Sequence, residues 1–70
     1  MTAIRSPLQG TIVSIEAAVG STVRAGQVVF LIESMKMHHE VVASAPGRLD
    51  ELLVDVGMAV MPGDVLARLV

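Results

Sequence analysis

The stretch QGTIVSIEAAVGSTVRAGQVVFLIE at residues 9–33 decides the fold, because the chain repeats it as PGRLDELLVDVGMAVMPGDVLARLV at residues 46–70. At an offset of 37 residues, glycines meet glycines and apolar residues meet apolar residues. The matched pairs are Gly10 with Gly47, Gly20 with Gly57, Gly26 with Gly63, Ile12 with Leu49, Ile15 with Leu52, Val19 with Val56, Val23 with Val60, Val28 with Val65, Ile32 with Leu69 and, outside the stretch, Ile4 with Val41. One copy is too short to bury a core alone, so we expect the two copies to pack together with pseudo-two-fold symmetry.

Each copy has the pattern of β-structure. The run VVFLIE is β-branched and apolar, whereas QGTIVSIE alternates only loosely because Ile12 and Ile15 are three residues apart, which predicts a bulge or a sharp bend. Tight turns between short strands are indicated by the recurrent glycines and by AGQ at residues 25–27 and PGD at residues 62–64. We assign every glycine to a turn or a bulge. A helical interpretation of LDELLVDVG is weaker, since its repeat partner IVSIEAAVG would not form a helix. The sequence therefore predicts an all-β flattened barrel or sandwich of about eight short strands.

Composition limits the possible partners and the compartment. The 70 residues are expected to form one domain, residues 1–70, with 53% hydrophobic residues and no cysteine for a disulfide or a thiolate metal site. A net charge of −2 without a basic patch argues against nucleic acid and anionic membranes, and Phe30 is the only aromatic residue. The N-terminus lacks the apolar core of a signal peptide, and no apolar run reaches the length of a membrane span. We expect a cytoplasmic protein whose isolated domain is a monomer.

The only lysine of the chain, Lys36, lies between the two copies in ESMKM, residues 33–37. VVFLIES and MHHEVVA are predicted to form the two arms of a hairpin, with Met35 and Lys36 at its exposed tip. A two-residue turn requires positive φ at both central residues and prefers Asn-Gly, so Met-Lys costs on the order of 1 kcal/mol per residue. A break of a local rule at one position points to function. An exposed amine can be acylated by another enzyme, which would change the net charge from −2 to −3.

ESMKM resembles the attachment motif of biotinyl domains, Glu-Ala-Met-Lys-Met, in which the central lysine carries biotin. SPLQGTI at residues 6–12 is similar to the Ala-Pro-Met-x-Gly-x-Val opening of that family, and the resemblance extends over essentially the whole chain. It implies a flattened β-barrel of two four-stranded sheets with quasi-two-fold symmetry.

The sequence departs from the family pattern in places. Ser34 replaces the usual alanine, and HHE after Met37 is not a typical continuation. The copies match without a gap between Gly10 and Gly26, so there is no room for the thumb insertion of some acetyl-CoA carboxylase carriers. This favours the acyl-CoA or pyruvate carboxylase type, or a small free-standing carrier.

The resemblance implies a carrier and not a catalyst. A biotin protein ligase would use ATP to attach biotin covalently to Lys36. A biotin carboxylase would then load a carboxyl group, and a carboxyltransferase would move it to an acceptor, expected to be an acyl-CoA, although pyruvate and urea remain open. Met35 and Met37 are expected either to contact these enzymes or to cover the surface of the barrel, since methionine adapts to different binding surfaces.

Other functions remain as alternatives at this point. A lipoyl carrier shares the fold, but lipoyl domains usually have Asp before the lysine and Ala or Val after it. An unmodified β-barrel adaptor and an enzyme that forms a Schiff base on Lys36 are also considered. His38 and His39 are neighbours on a strand, which places them on opposite faces, and they make a weak metal site.

The carboxylates suggest no catalysis by the chain itself. Glu33 could orient the hairpin or contact the ligase, although a solvated strand carboxylate also explains it. Asp50, Glu51, Asp55 and Asp64 form no recognisable acid–base pair and are interpreted as an exposed acidic face.

Overall fold

The computed structural model describes residues 2–70, so the predicted domain start at Met1 lies outside the described residues. Eight strands follow one another in the chain: β1 Thr2–Arg5, β2 Gly10–Ile15, β3 Thr22–Val23, β4 Val28–Ser34, β5 Met37–Val42, β6 Gly47–Leu52, β7 Ala59–Val60 and β8 Val65–Leu69. The all-β prediction is confirmed. Residues 49–57, the helical alternative, form the end of β6 and a loop.

The strands form two four-stranded antiparallel sheets, with the orders β1-β8-β6-β3 and β5-β4-β2-β7. The predicted flattened barrel or sandwich of two four-stranded sheets is therefore confirmed. The first sheet combines β6 and β8 of the second copy with β3 of the first, and the second sheet combines β2 and β4 with β7. Because each sheet needs strands from both copies, neither copy can complete its hydrogen bonding alone.

The pairing registers reproduce the sequence repeat. Strand β2 shifts its register between Ile12 and Ser14 where it pairs with β4, and β6 shifts between Leu49 and Glu51 where it pairs with β8. These two bulges lie at equivalent positions of the two copies. They explain why the apolar residues of each strand are three apart, so the predicted bulge is confirmed.

One core lies between the two sheets and draws on both copies. Its buried members are Ile4, Ile12, Val23, Val29, Phe30, Ile32, Val41, Ala43, Leu49, Val60, Leu66, Ala67 and Leu69. Aliphatic side chains dominate this core, and the single phenylalanine is its largest fully buried side chain. Among residues 2–70 there is no helix long and apolar enough to cross a membrane.

The glycines serve two purposes. Gly26 and Gly63 have φ values of 85° and 90° at the turns before β4 and β8, which confirms the predicted turns. The assignment of every glycine to a turn or bulge is wrong for Gly10 and Gly47, which are the first residues of β2 and β6. A Cβ atom at Gly10 would lie 2.5 Å from the carbonyl oxygen of Glu33, so this glycine allows two strands to approach closely.

Candidate functional site

The turn between β4 and β5 is the distinctive site of the molecule. Ser34 and Met37 close the β4–β5 ladder as a pair, and Met35 and Lys36 form the turn with φ values of 53° and 64°. The predicted hairpin, with positive φ at both central residues, is confirmed. In residues 2–70 these two are the only residues other than glycine with positive φ. Such a turn matches the twist of its strands but costs about 1 kcal/mol for each side chain that adopts it.

The hairpin stands on a well-packed base. Strand β4 is a central strand, paired with β5 on one side and β2 on the other, and Phe30 and Ile32 anchor it fully buried in the core. The β4–β5 ladder runs from Val28 paired with Val42 to Ser34 paired with Met37. The register shifts between Val28 and Phe30 and then runs unbroken from Phe30 to Ser34, so the part of the ladder next to the turn is regular. Its position in space is fixed by the core, although its side chains are exposed.

The strand pair that leads to this turn has a counterpart in the repeat. The β4–β5 pair corresponds to the β8–β1 pair at the offset of 37 residues, and Ile32 paired with His39 corresponds to Leu69 paired with Thr2. In the first pair a turn joins the strands, whereas in the second the corresponding place holds the two ends of the described chain. Met35 and Lys36 lie between the two matched stretches, residues 9–33 and 46–70.

The tip combines an amine with two exposed thioethers. Lys36 is exposed, and Met35 and Met37 are 92% and 62% exposed, respectively. Met35 is the most exposed of the large hydrophobic side chains in the described part of the chain. The structure therefore places all three predicted site residues next to one another on the surface.

One cross-strand contact lies directly below the tip. Glu33 and His38 face each other in the β4–β5 ladder, and Nε2 of His38 lies 3.6 Å from Oε2 of Glu33. Both side chains are more than half exposed, so the pair contributes little to stability even when the histidine is protonated. Sequence reasoning considered Glu33 without a partner, because the register that brings His38 opposite it was not known.

The other two ion pairs of residues 2–70 lie away from the hairpin. On the other sheet Glu51 accepts a 2.6 Å hydrogen bond from Arg68, and Asp50 lies 3.8 Å from Arg48. Residues 2–70 contain no cluster of three or more His, Cys, Asp or Glu side chains that could hold a metal ion, and no cavity is found in them.

The residue that sequence reasoning missed is Gly10. A Cβ atom there would meet the carbonyl oxygen of Glu33 and Cγ2 of Ile32, both at 2.5 Å. These atoms belong to residues near the end of β4, so Gly10 sets how closely β2 approaches the strand that leads to the turn at Lys36. Its position three residues after Pro7, in an opening similar to that of the biotinyl family, was the signal that could have identified it.

Comparison with known proteins agrees with this architecture. A family model described as "Biotin-requiring enzyme" matches residues 2–69. The biotin-dependent acyl-coenzyme A carboxylase alpha3 subunit of Mycobacterium leprae is 40% identical over 96% of this chain, which spans 11% of that protein. The biotin carboxyl carrier protein of Streptococcus mutans is 38% identical over 87% of this chain and 47% of its own length. The biotinylated protein TB7.3 homolog of Mycobacterium leprae is 30% identical over 91% of this chain and 90% of its own length.

Solved structures give the same result for the fold. The urea carboxylase of Kluyveromyces lactis superposes with a TM-score of 0.92 at 35% identity, covering 99% of this chain and 6% of that one. The lipoyl domain of the 2-oxoglutarate dehydrogenase complex of Azotobacter vinelandii superposes with a TM-score of 0.76 at 26% identity, covering 97% of this chain and 96% of that one.

Proposed function

Since the chain belongs to the family of biotin-requiring enzymes, we propose that it is a biotin carboxyl carrier whose Lys36 is the point of covalent biotin attachment. The observation that carries the proposal is the turn itself. An exposed amine stands at a strained position, between two exposed methionines, on a turn that joins the two copies of the repeat.

The chemistry of Lys36 suits attachment by another enzyme. Its Nζ forms an amide with the carboxyl group of biotin in a reaction that a biotin protein ligase drives with ATP. The amide removes the positive charge of the side chain, so the net charge of the chain changes from −2 to −3. When attached, biotin supplies a ring nitrogen that carries a carboxyl group between two enzymes.

The domain itself contributes position. The tip is exposed enough to enter the active site of a biotin carboxylase and then that of a carboxyltransferase. The β4–β5 ladder and the buried Phe30 and Ile32 hold the turn at a fixed place on the barrel. Attachment to such a body raises the effective concentration of the carried group at each partner. Met35 and Met37 supply apolar contacts that these partners cover when they bind.

The acceptor class we propose is an acyl-CoA. The support is the identity of 40% with a protein named as an acyl-coenzyme A carboxylase subunit. A structure titled as a long-chain acyl-CoA carboxylase also superposes with a TM-score of 0.88. We further propose that the domain contributes no catalytic group, that it is a monomer in isolation, and that it acts in the cytoplasm.

A lipoyl carrier is the second candidate, because a lipoyl domain superposes over 97% of this chain. The residues that flank the lysine argue against it, since methionine occupies both places where the resemblance would lead us to expect Asp and Ala or Val.

Intact-mass spectrometry after co-expression tests both candidates. The domain is produced with a biotin ligase and a lipoyl ligase while both acids are supplied, and Lys36→Ala is produced in parallel. We expect one biotin adduct on the original chain and none on Lys36→Ala. A lipoyl adduct would identify the second candidate, and an unmodified chain would refute both carrier functions. An adduct that persists in Lys36→Ala would place the attachment at another amine.

A further inference from the structure

We infer that the thioethers of Met35 and Met37 form an oxidation site, at which peroxide converts them to sulfoxides and thereby blocks loading of Lys36. The inference rests on the proposed function for its consequence, but the oxidation itself does not depend on that function.

The distribution of methionine in the fold is the first observation. Met35, Met37, Met58 and Met61 are 92%, 62%, 45% and 52% exposed, and no methionine of residues 2–70 belongs to the core. The core is instead built from Ile, Val, Leu, Ala and one Phe. Methionine commonly fills irregular gaps in a core. Here the four methionines of residues 2–70 are all at the surface, so their oxidation removes no core packing.

The second observation distinguishes the four sulfur atoms in the described part of the chain. The Sδ atom of Met58 accepts a hydrogen bond from the backbone N–H of Asp55 at 3.1 Å, which occupies one of its lone pairs. Met35 lies on the turn, almost fully exposed, at a φ of 53°. An oxidant that needs a free lone pair on sulfur should therefore react at Met35 first and at Met58 last.

The reaction is a two-electron oxygen transfer. A lone pair of Sδ attacks one oxygen of hydrogen peroxide, the O–O bond breaks, and a sulfur–oxygen bond forms. Sulfur is oxidised by two electrons, and the other peroxide oxygen is reduced and leaves as water. Methionine sulfoxide reductases of the two epimer specificities reverse the change.

The effect of oxidation on the loading of Lys36 arises because Met35 and Met37 become buried only when an enzyme binds the turn. In the free domain Met35 contacts almost nothing, so a sulfoxide there costs the fold little. An enzyme that reaches Nζ of Lys36 covers the residues on both sides of it, and a sulfoxide covered by an apolar surface lacks a hydrogen-bond partner. An unsatisfied polar group of this kind weakens an association by roughly five- to 150-fold. The effect is therefore expected in recognition and not in stability.

The test uses the purified, unmodified domain and graded hydrogen peroxide. Peptide mapping measures the sulfoxide at each methionine, a thermal melt measures stability, and biotinylation by a biotin ligase with ATP gives kcat/KM. We expect Met35 to oxidise first and Met58 last, kcat/KM to fall roughly fivefold or more, and the melting temperature to stay unchanged. Treatment with both reductases should restore kcat/KM.

Two double variants show which methionines cause the fall in kcat/KM after peroxide treatment. In Met35→Leu/Met37→Leu the ratio of kcat/KM before and after peroxide should stay near one, whereas Met58→Leu/Met61→Leu should remain as sensitive as the original chain. Any one of three results would overturn the inference. The first is that Met58 oxidises before Met35, and the second is that kcat/KM stays unchanged although both Met35 and Met37 are oxidised. The third is that the melting temperature falls together with kcat/KM. If the untreated domain accepts no biotin, the proposed function fails and the loading effect falls with it, while peptide mapping still decides the order of oxidation.

Discussion

Replacing Gly10 by alanine tests how the barrel supports its functional turn. The added Cβ atom would lie 2.5 Å from both the carbonyl oxygen of Glu33 and Cγ2 of Ile32, and 3.3 Å from the carbonyl carbon of Glu33. Two of these three atoms are backbone atoms of β4, so they cannot move aside as a flexible side chain could. The end of β4 must shift, and the turn that carries Lys36 must shift with it.

The magnitude follows from two opposing contributions. Overpacking a well-filled site typically costs about 1–3 kcal/mol, and contact with backbone places this site toward the upper end. Replacing glycine stabilises by about 0.4–1 kcal/mol, because the unfolded chain has fewer conformations. The free energy of unfolding should therefore fall by about 2 kcal/mol for Gly10→Ala. With a slope of about 1 kcal/mol per molar urea, the unfolding midpoint should fall by about 2 M.

The repeat provides a matched control. Gly47 is the counterpart of Gly10 in the second copy, and a Cβ atom there would lie 3.0 Å from the carbonyl oxygen of Val70 and 3.2 Å from Cβ of Leu69. These contacts are tight but can relax, so Gly47→Ala should change the free energy of unfolding by less than about 1 kcal/mol.

Urea unfolding followed by circular dichroism measures both variants, and backbone amide chemical shifts locate the displacement. We expect shift changes at residues 32–37 in Gly10→Ala and not in Gly47→Ala. Equal midpoints for the two variants, or unchanged shifts at the turn, would refute the reasoning.

Two further predictions concern the turn and the core. Met35→Asn should raise the free energy of unfolding by about 1 kcal/mol, because asparagine tolerates positive φ. Urea unfolding measures this change, and an unchanged free energy of unfolding would show that the turn is not strained. Leu49→Ala, at a fully buried position, should cost about 2–5 kcal/mol, a large part of the roughly 4–10 kcal/mol expected for a domain of this size. Leu53→Ala, at a residue 38% exposed, should cost less than about 1 kcal/mol, and similar midpoints for the two leucine variants would contradict the assigned core.

Much of the architecture could be predicted because the sequence contains two copies of the same structural unit. The offset of 37 residues located the strands, the turns and the bulges of both copies, and an error in one copy would have conflicted with the other. The hairpin at Lys36 followed from the segment that joins the copies. What the repeat could not provide was the side-by-side order of strands within a sheet, since sequence matching says nothing about which copy supplies a neighbour.

The sequence by itself determined the all-β class, the two-fold repeat, the bulges and the turn at Met35 and Lys36, because these depend on local spacing and on which residues tolerate positive φ. Only the tertiary structure decided the contacts across strands. Glu33 meets His38, and Gly10 fits beneath the end of β4, because of a register and a distance between strands that no local pattern encodes. Those distances arise from packing two sheets on one core, and every strand contributes to them.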